Sequence, residues 1–595
     1  MRCVKPLLAA IAIIGMTFAT AIPSNAYTAN GFKYTISGNA ASITGCAVAC
    51  QQNLVVPSSI EGYTVTNIAS KAFANLGLTS VGLPTSLKSI GSKAFQNNQL
   101  TSIDFPYTLK RIGSAAFSGN YIRTLELPTQ MTSIGTFAFS NNSISSLSLP
   151  SSLKSIAESA FSHNALSQLS LPSSITTIGR SAFENNMIQT LILPNLVRGI
   201  GPSAFANNDL TTISLPQSIT QLGTASFRFN KISEVSLPRG IKEVSPYVFA
   251  NNAITRLILP QSLRSIGIGA FSHNRLASVS LPSALQTLSE NAFSNNLLTA
   301  ITVPNSVNQI GAYAFWNNKL EQITLPNRIQ GIAAFSFYKN VLTDITLPNS
   351  VRSIGQYAFA DNRLKNVSLP NSLVQISANA FSNNLLSSLV VPSSVVQIGD
   401  SAFARNFISA LVLPPSLRSI ERSAFASNAL TILTLPRGVK FLGSDSFSGN
   451  DLTSIQIPAS ITKIGDYAFS GNFITNVRLP DTVTSIGEYA FADNALQTVK
   501  LPKSLRTIGD FAFAGNVLST LIVPDAVTSI GRGAFSNNSL REVYFLGPAP
   551  SAGLYPFLNN SMLTQVFVRA GVPGWSATWV GFGVSYLEKS LFPQP

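Results

Sequence analysis

Apolar and polar positions along this chain repeat with a fixed step of 22 residues. Phe73, Phe95, Phe117, Phe139 and Phe161 open a series that continues through Phe271 to Phe535 without a slip, 22 phenylalanines in all. Three positions after each Phe stands Asn, as at Asn98, Asn120, Asn142, Asn164 and Asn274, with Leu76 the one exception. Eleven positions after each Phe but the last stands Pro, from Pro84 to Pro524. Between Asn and Pro lies an apolar triad such as Leu166, Leu169 and Leu171, and a second apolar pair such as Leu153 and Ile156 follows the Pro, often with Gly directly after it.

A unit of this length cannot bury its apolar face alone and does so by stacking on its neighbours. The triad has the L-x-x-L-x-L spacing of leucine-rich repeats, in which a short strand ends each triad. Alternation in Ser102-Ile103-Asp104-Phe105 predicts a strand that buries Ile103 and Phe105. Pro106, with no amide hydrogen, ends it. The Phe series predicts rings placed one over the next at about the inter-strand spacing of ~4.8 Å. An inward Asn amide both donates and accepts, so the Asn series is read as satisfying turn backbone groups of its own and adjacent coils, a glycan or ligand role being the alternative. The fold class predicted is a repeat solenoid, mainly β: a right-handed leucine-rich repeat solenoid of 22 coils with a 22-residue period and a cap at each end.

The unit Leu147-x-Leu149-Pro150-x-x-Leu153-x-x-Ile156, closing with Ala160-Phe161-x-x-Asn164-x-Leu166, resembles the bacterial leucine-rich repeat family typified by BspA-like surface proteins. The start, Gly31-Phe32-Lys33-Tyr34-Thr35-Ile36 with Val56-Pro57-Ser58-Ser59-Ile60-Glu61-Gly62-Tyr63-Thr64-Val65, resembles that family's N-terminal cap, and its first coil carries a five-residue insertion before Ile68. The resemblance implies a secreted or cell-surface binding protein, an adhesin or interaction scaffold, with diverse partners across the family. The chain departs from the commoner pattern in having Asn where a Cys often sits.

The ends carry other signals. Arg2 and Lys5 precede the mostly apolar Leu7 to Ile22, and Ser24-Asn25-Ala26 offers a cleavage site. This reads as a signal peptide over 1–26, with Ala19-Thr20-Ala21 an alternative cut and an uncleaved anchor the rival, since 16 apolar positions fall short of a span of about 20. No later segment is apolar for long enough to span a bilayer. The remaining divisions are an N-terminal cap at 27–56, the solenoid at 57–546 and a C-terminal cap at 547–595, where the pattern breaks after Leu546. Trp575 and Trp579, four apart, could share one helical face and are read as an apolar plug, a carbohydrate-stacking pair being the other reading. Cys46 and Cys50 are expected to form a local disulfide in an exported protein.

Composition narrows the function. With two His and three Cys in 595 residues, a His-rich or Cys-rich metal cluster is excluded and His-dependent catalysis has little material. No catalytic, cofactor-binding or metal-binding residue is assigned, and no cofactor is expected. His163 and His273, five coils apart, are too distant to share a site, and Asp466, Glu488 and Asp510 read as solvated charges at one turn position. Charged residues make up 11% of the chain, with a net charge of +15; cleavage removes Arg2 and Lys5 and no acid, lowering it by two to +13. Lys88, Lys110, Lys154, Arg198, Lys242, Arg264, Arg352, Arg418, Lys440 and Arg506 all stand 15 positions after a ladder Phe, and so form a discontinuous basic stripe. That stripe is either a solvated face or a site for an anionic ligand. The partner expected is an extracellular protein or an anionic polysaccharide; nucleic acid is disfavoured because the exposed strand positions are mostly Ser and Thr and lack aromatic platforms. A structural surface spacer or filament is the alternative to a binding role, and the oligomeric state is open.

Overall fold

The computed structural model describes residues 26–591. Nearly all of the segment read as a signal peptide lies outside the described residues. The chain divides into two compact units at Leu153 and Lys154.

In the first unit the cap strands Tyr27–Ala29, Phe32–Ser37 and Ala40–Cys46 pair antiparallel. Ala40–Cys46 then pairs parallel with Tyr63–Ile68, which passes the sheet from cap to coils. The insertion in the first coil is a hairpin of Ser59–Ile60 against Tyr63–Ile68, turning through Glu61 and Gly62 at φ of 49° and 80°. Phe32 sets its ring edge-on to Phe73, with centroids 6.2 Å apart, and so covers the first ring of the Phe series. Without that cover the apolar cross-section of a solenoid would face water.

Every coil carries a two-residue strand and most carry a second, three- or four-residue strand. The longer strand ends the apolar triad: Thr124–Glu126 pairs parallel with Ser146–Ser148, each residue opposite the one 22 later. In the second unit Thr190–Ile192 pairs in the same way with Thr212–Ser214. The strand expected over Ser102-Ile103-Asp104-Phe105 does not form, and there Ile103 is buried but Phe105 only half-buried. The sequence marks the two-residue strand only as an apolar pair. It occurs as Ser89–Ile90, Arg111–Ile112 and Ser133–Ile134, or as Ser155–Ile156, Thr177–Ile178 and Gly199–Ile200. The Gly that often follows has a steric cause. A Cβ at Gly113 would meet the Ser92 nitrogen at 2.5 Å, closer than side-chain carbons approach backbone.

Rings of the Phe series stack within each unit. Centroids lie 5.1 Å apart for Phe95 and Phe117, 5.5 Å for Phe227 and Phe249 and 5.9 Å for Phe293 and Phe315, wider than the strand spacing. Interplanar angles of 12°, 2° and 5° identify the reason: near-parallel rings slip sideways into the offset arrangement that their quadrupoles favour.

The C-terminal end corrects two expectations. The coil pattern does not break after Leu546, and the stack gains a ring beyond the 22 read from sequence. Phe557 stacks on Phe535 at 5.8 Å, Asn560 donates to the carbonyls of Phe535 and Phe557 at 3.0 and 2.9 Å, and Ser551–Ala552 pairs with Ser529–Ile530. Leu546 replaces the usual Pro, but Pro only ends a strand; the Phe, the Asn and the two-residue strand hold the coil. The second correction concerns Trp575 and Trp579, which lie on no helix. Trp579 belongs to the strand Thr578–Trp579, folded against Phe582–Leu587. Both indoles lie against Phe545, at 4.7 and 4.9 Å, and Trp579 also reaches Phe557 at 6.0 Å. Their N–H groups point to the carbonyls of Gly547 at 3.2 Å and Pro550 at 3.4 Å.

Cys46 and Cys50 are joined by a disulfide at the end of the cap strand. A bridge closing so short a loop limits the unfolded chain modestly. Replacing both residues by Ser is expected to lower the stability of the cap by about 1–2 kcal/mol, read as faster amide hydrogen exchange at Tyr34 and Ile43; unchanged exchange would show the cap to be held without the bridge.

Candidate functional site: the exposed rows of the coil

Identical positions of successive coils line up, so any site on this fold is a set of rows. The innermost polar row is the Asn series. Asn98 donates its Nδ2 hydrogens to the carbonyls of Phe73 and Phe95 at 2.8 and 3.0 Å, and its Oδ1 accepts from the amides of Leu76 and Leu78 at 3.1 and 3.0 Å. Asn120 repeats this toward Phe95, Phe117 and Leu100. Asn142 bonds Phe117, Phe139 and Ile122. In the second unit Asn164 bonds the Phe161 carbonyl, and Asn274 bonds Phe249, Phe271 and Ile254. These amides are saturated by backbone, which leaves nothing for an external ligand to take.

The basic row immediately precedes the two-residue strand. In the first unit Lys88 and Lys110 are exposed on adjacent coils, joined by the Lys110 amide donating to the Lys88 carbonyl at 3.0 Å. In the second unit Lys154, Arg198, Lys242, Arg264, Arg352, Arg418, Lys440 and Arg506 are likewise exposed. Lys242 with Arg264 and Arg418 with Lys440 occupy neighbouring coils, and coils with an uncharged residue at this position separate the rest. Arg418 folds back to donate to the carbonyls of Pro415 and Leu417 at 3.0 and 3.1 Å. Among the described residues no carboxylate lies within ion-pair distance of any of the ten; the ion pairs seen, Lys231 with Asp209 at 2.6 Å and Arg256 with Glu234 at 3.5 Å, belong to other rows.

On the strand face, residues flanking the central apolar position are exposed, as for Ser146 and Ser148 or Thr190 and Ile192. Ile192, Val390, Val412 and Ile432 interrupt the hydroxyl surface, at 57 to 78% exposure. Several of the other polar groups singled out in the sequence have local partners. Asp466 and Asp510 accept from the amides of Glu488 and Arg532 at 2.8 and 2.7 Å. His163 and His273 each meet the Asn one coil later, at 3.0 and 3.3 Å. Among the described residues no group of three or more His, Cys, Asp or Glu is placed to hold a metal ion, and no helix is long and apolar enough to cross a membrane.

Sequence reasoning missed two turn rows flanking the Phe stack. Residues two before and two after each ladder Phe sit in the left-handed region: Ser159 at 51° and His163 at 56°, Tyr313 at 58° and Asn317 at 54°, Phe335 at 57° and Lys339 at 55°. The row after Phe is rich in Asn and Gly, residues that tolerate this conformation, a signal that could have been read. The row before Phe accepts side chains that ordinarily avoid it, and several are aromatic. Tyr313, Phe335 and Tyr357 stack at 4.6 and 4.8 Å, with planes 6° and 14° apart. Tyr467, Tyr489 and Phe511 do the same at 4.7 and 4.8 Å. Contact between rings, worth ~0.5–1.5 kcal/mol per pair, offsets backbone strain of about the same size.

A family model described as BspA type leucine rich repeat region (6 copies) matches residues 51–166, 154–274, 242–363, 330–452 and 440–564. Among solved structures, a leucine rich cell surface protein from Faecalibacterium prausnitzii is 19% identical over 76% of this chain and 94% of its own, with a TM-score of 0.26. A leucine-rich repeat protein from Eubacterium ventriosum is 15% identical over 71% of this chain and 93% of its own, TM-score 0.31, and YopM from Yersinia enterocolitica is 21% identical over 82% and 90%, TM-score 0.36. No curated protein matches the sequence. Matched segments that run from residue 51 to 564, over coils whose Phe and Asn rows repeat throughout, place this chain in the BspA-type leucine-rich repeat family.

Proposed function

We propose that this protein is an exported binding scaffold of the adhesin kind, secreted or held at the cell surface, which engages an extracellular protein or an anionic polysaccharide and carries no reaction of its own. Family membership supports a binding role. The observation that carries the reading further is the basic row: ten cations at one coil position, all exposed and none ion-paired among the described residues. A row of spaced cations suits a polyanion, which it meets through many weak contacts whose effects combine along the chain.

Such contacts are screened over ~10 Å at about 0.1 M salt. Retention of the mature protein on an anionic polysaccharide column is therefore expected to fall steeply as salt rises. The triple variant K88Q/K110Q/K154Q is expected to elute earlier without losing retention, because seven cations of the row remain. Salt-insensitive retention, or no change in the variant, would leave the row a solvated face.

A further inference from the structure

The aromatic row is broken, and the break is a cleft. Two before the ladder Phe the second unit reads Tyr313, Phe335, Tyr357, then Asn379, Ser401, Ser423 and Asp445, then Tyr467, Tyr489, Phe511. Where the small residues stand, a cleft of about 470 Å³ opens between this row and the row two after Phe. Tyr357 walls one end and Asp445 the other, and Arg405 and Asn383 line the opposite side.

Its wall is fixed in advance. One face of Tyr357 rests on Phe335 at 4.8 Å and its edge meets Tyr338 at 5.7 Å, so its other face is turned along the row toward the small residues. Asp361, beside that wall, accepts from Asn383 Nδ2 at 2.8 Å. Burial first, and the Asp361 carboxylate second, raise the pKa of the Tyr338 hydroxyl above its ordinary value. At the far end, burial raises Asp445, Arg422 works against the rise and Asp466 adds to it.

The cleft's chemistry selects its occupant. Backbone amides along both sides already bond to the next coil: Asn379, Ser401 and Ser423 to the carbonyls of Asp400, Arg422 and Ser444, and Asn383 and Arg405 to those of Ala404 and Ala426, all at 2.7 to 2.9 Å. An extended peptide could therefore add no strand here. What remains is an aromatic face at one end, hydroxyl, amide, carboxylate and guanidinium groups along the length, and the small side chains of Ala404 and Ala426. Two carboxylates against one guanidinium disfavour an anionic ligand. Coils advance by roughly 5 Å, close to the length of a pyranose ring, so each coil can face one sugar unit. A smaller cleft, of about 220 Å³, lies beside Tyr247, a lone aromatic of the same row followed by Gly269 and Asn291, with Arg228, Phe229, Ser272 and His273 in its lining.

We propose that the gap between Tyr357 and Asp445 is a binding cleft for a short run of a neutral, linear oligosaccharide, with one pyranose ring stacked on the face of Tyr357 that no ring of the row covers. This site is separate from the basic row and does not depend on it.

The test is calorimetric titration of the mature full-length protein with four probes: maltohexaose, cellohexaose, mannohexaose and chitohexaose. At least one is expected to bind, with affinity unchanged between low and high salt, unlike retention on a polyanion. In Ser401→Tyr/Ser423→Tyr the gap is filled with the side chain that the same row carries elsewhere at the same backbone angle, and binding is expected to vanish while the melting profile persists. Tyr357→Ala should weaken binding by about tenfold or more through loss of the stacking face. Tyr489→Ala, whose ring is covered on both faces by Tyr467 and Phe511, should leave it unchanged. Failure of all four probes, or binding that survives the filled gap, would overturn the proposal.

Discussion

Phe271→Ala is expected to open the coils around it, at a cost of about 3–5 kcal/mol. Phe271 is fully buried, between Phe249 at 5.7 Å and Phe293 at 5.4 Å. Removing its ring takes away two stacking partners at once and leaves a void that the neighbours cannot fill, because their backbones are tied coil to coil. The Phe249, Phe271 and Phe293 amides bond to the carbonyls of Ala270, Ala292 and Ala314 at 3.0, 3.0 and 2.9 Å. In a repeat fold stability is a sum over coils and their neighbours, so the loss stays local. The measurement is amide hydrogen exchange, which should accelerate by roughly a hundredfold or more for the coils between Phe249 and Phe293 and remain near its original rate several coils away. His273→Ala provides the contrast. Its ring is exposed and its partner is Asn295 at 3.3 Å, so the cost should be about 1 kcal/mol or less. Equal acceleration in the two variants would refute the distinction between the buried and the outer row.

The difference between these residues also marks what could be read from the sequence. Phe271 and Asn274 recur because every coil has the same space for a ring to fill and the same carbonyls for an amide to satisfy. A requirement that never varies leaves an unvarying residue, so the period and the stack were legible. The two-residue strand was not, since Ser89 and Ile90 are too few for alternation to register. The added coil at Phe557 was hidden because the usual Pro and strand pattern lapse at Leu546, although Phe557 and Asn560 keep their spacing. Trp575 and Trp579 have a helical separation, but Gly574 and Gly581 at φ of 90° and 91° belong to turns around a hairpin. The cleft was the least visible. It consists of the small residues Ser401 and Ser423 in a row that is aromatic on either side, and a row with variable side chains draws no attention until its backbone angle is known. The basic stripe shows the converse: Lys88 and Arg506 were easy to place on one row, yet a row of charges identifies no ligand by itself.

Asn296→Asp is expected to be more damaging than Asn296→Ala at neutral pH, although it alters fewer atoms. Asn296 is 4% exposed. Its Nδ2 donates to the carbonyls of Phe271, Phe293 and Ser294 at 2.9, 3.2 and 3.3 Å, and its Oδ1 accepts from the Leu276 amide at 3.0 Å. In the Ala variant the Leu276 amide loses this acceptor, a cost of about 1–3 kcal/mol, while the two Phe carbonyls keep the amides of Asn274 and Asn318. In the Asp variant an ionised carboxylate would face three carbonyl oxygens away from water, and both desolvation and the lost donor raise its folded pKa above the unfolded value of about 3.9. A rise of roughly three units corresponds to about 4 kcal/mol. The folded state then holds its proton more tightly than the unfolded chain, so the Asp variant is most stable below about pH 4 and loses stability as pH rises toward the folded pKa. Acid lets one carboxyl oxygen act as a donor again. Local exchange at Leu276 and Phe293, compared between about pH 4 and pH 7 and corrected for the intrinsic rate, should therefore favour the Asp variant at the lower pH and the Ala variant at the higher. An Asp variant more stable than the Ala variant at both pH values would mean that the donor hydrogens of this row are dispensable and that its Asn residues hold the coils through their acceptor oxygens alone, and an Ala variant more stable at both would overturn the expected gain on protonation.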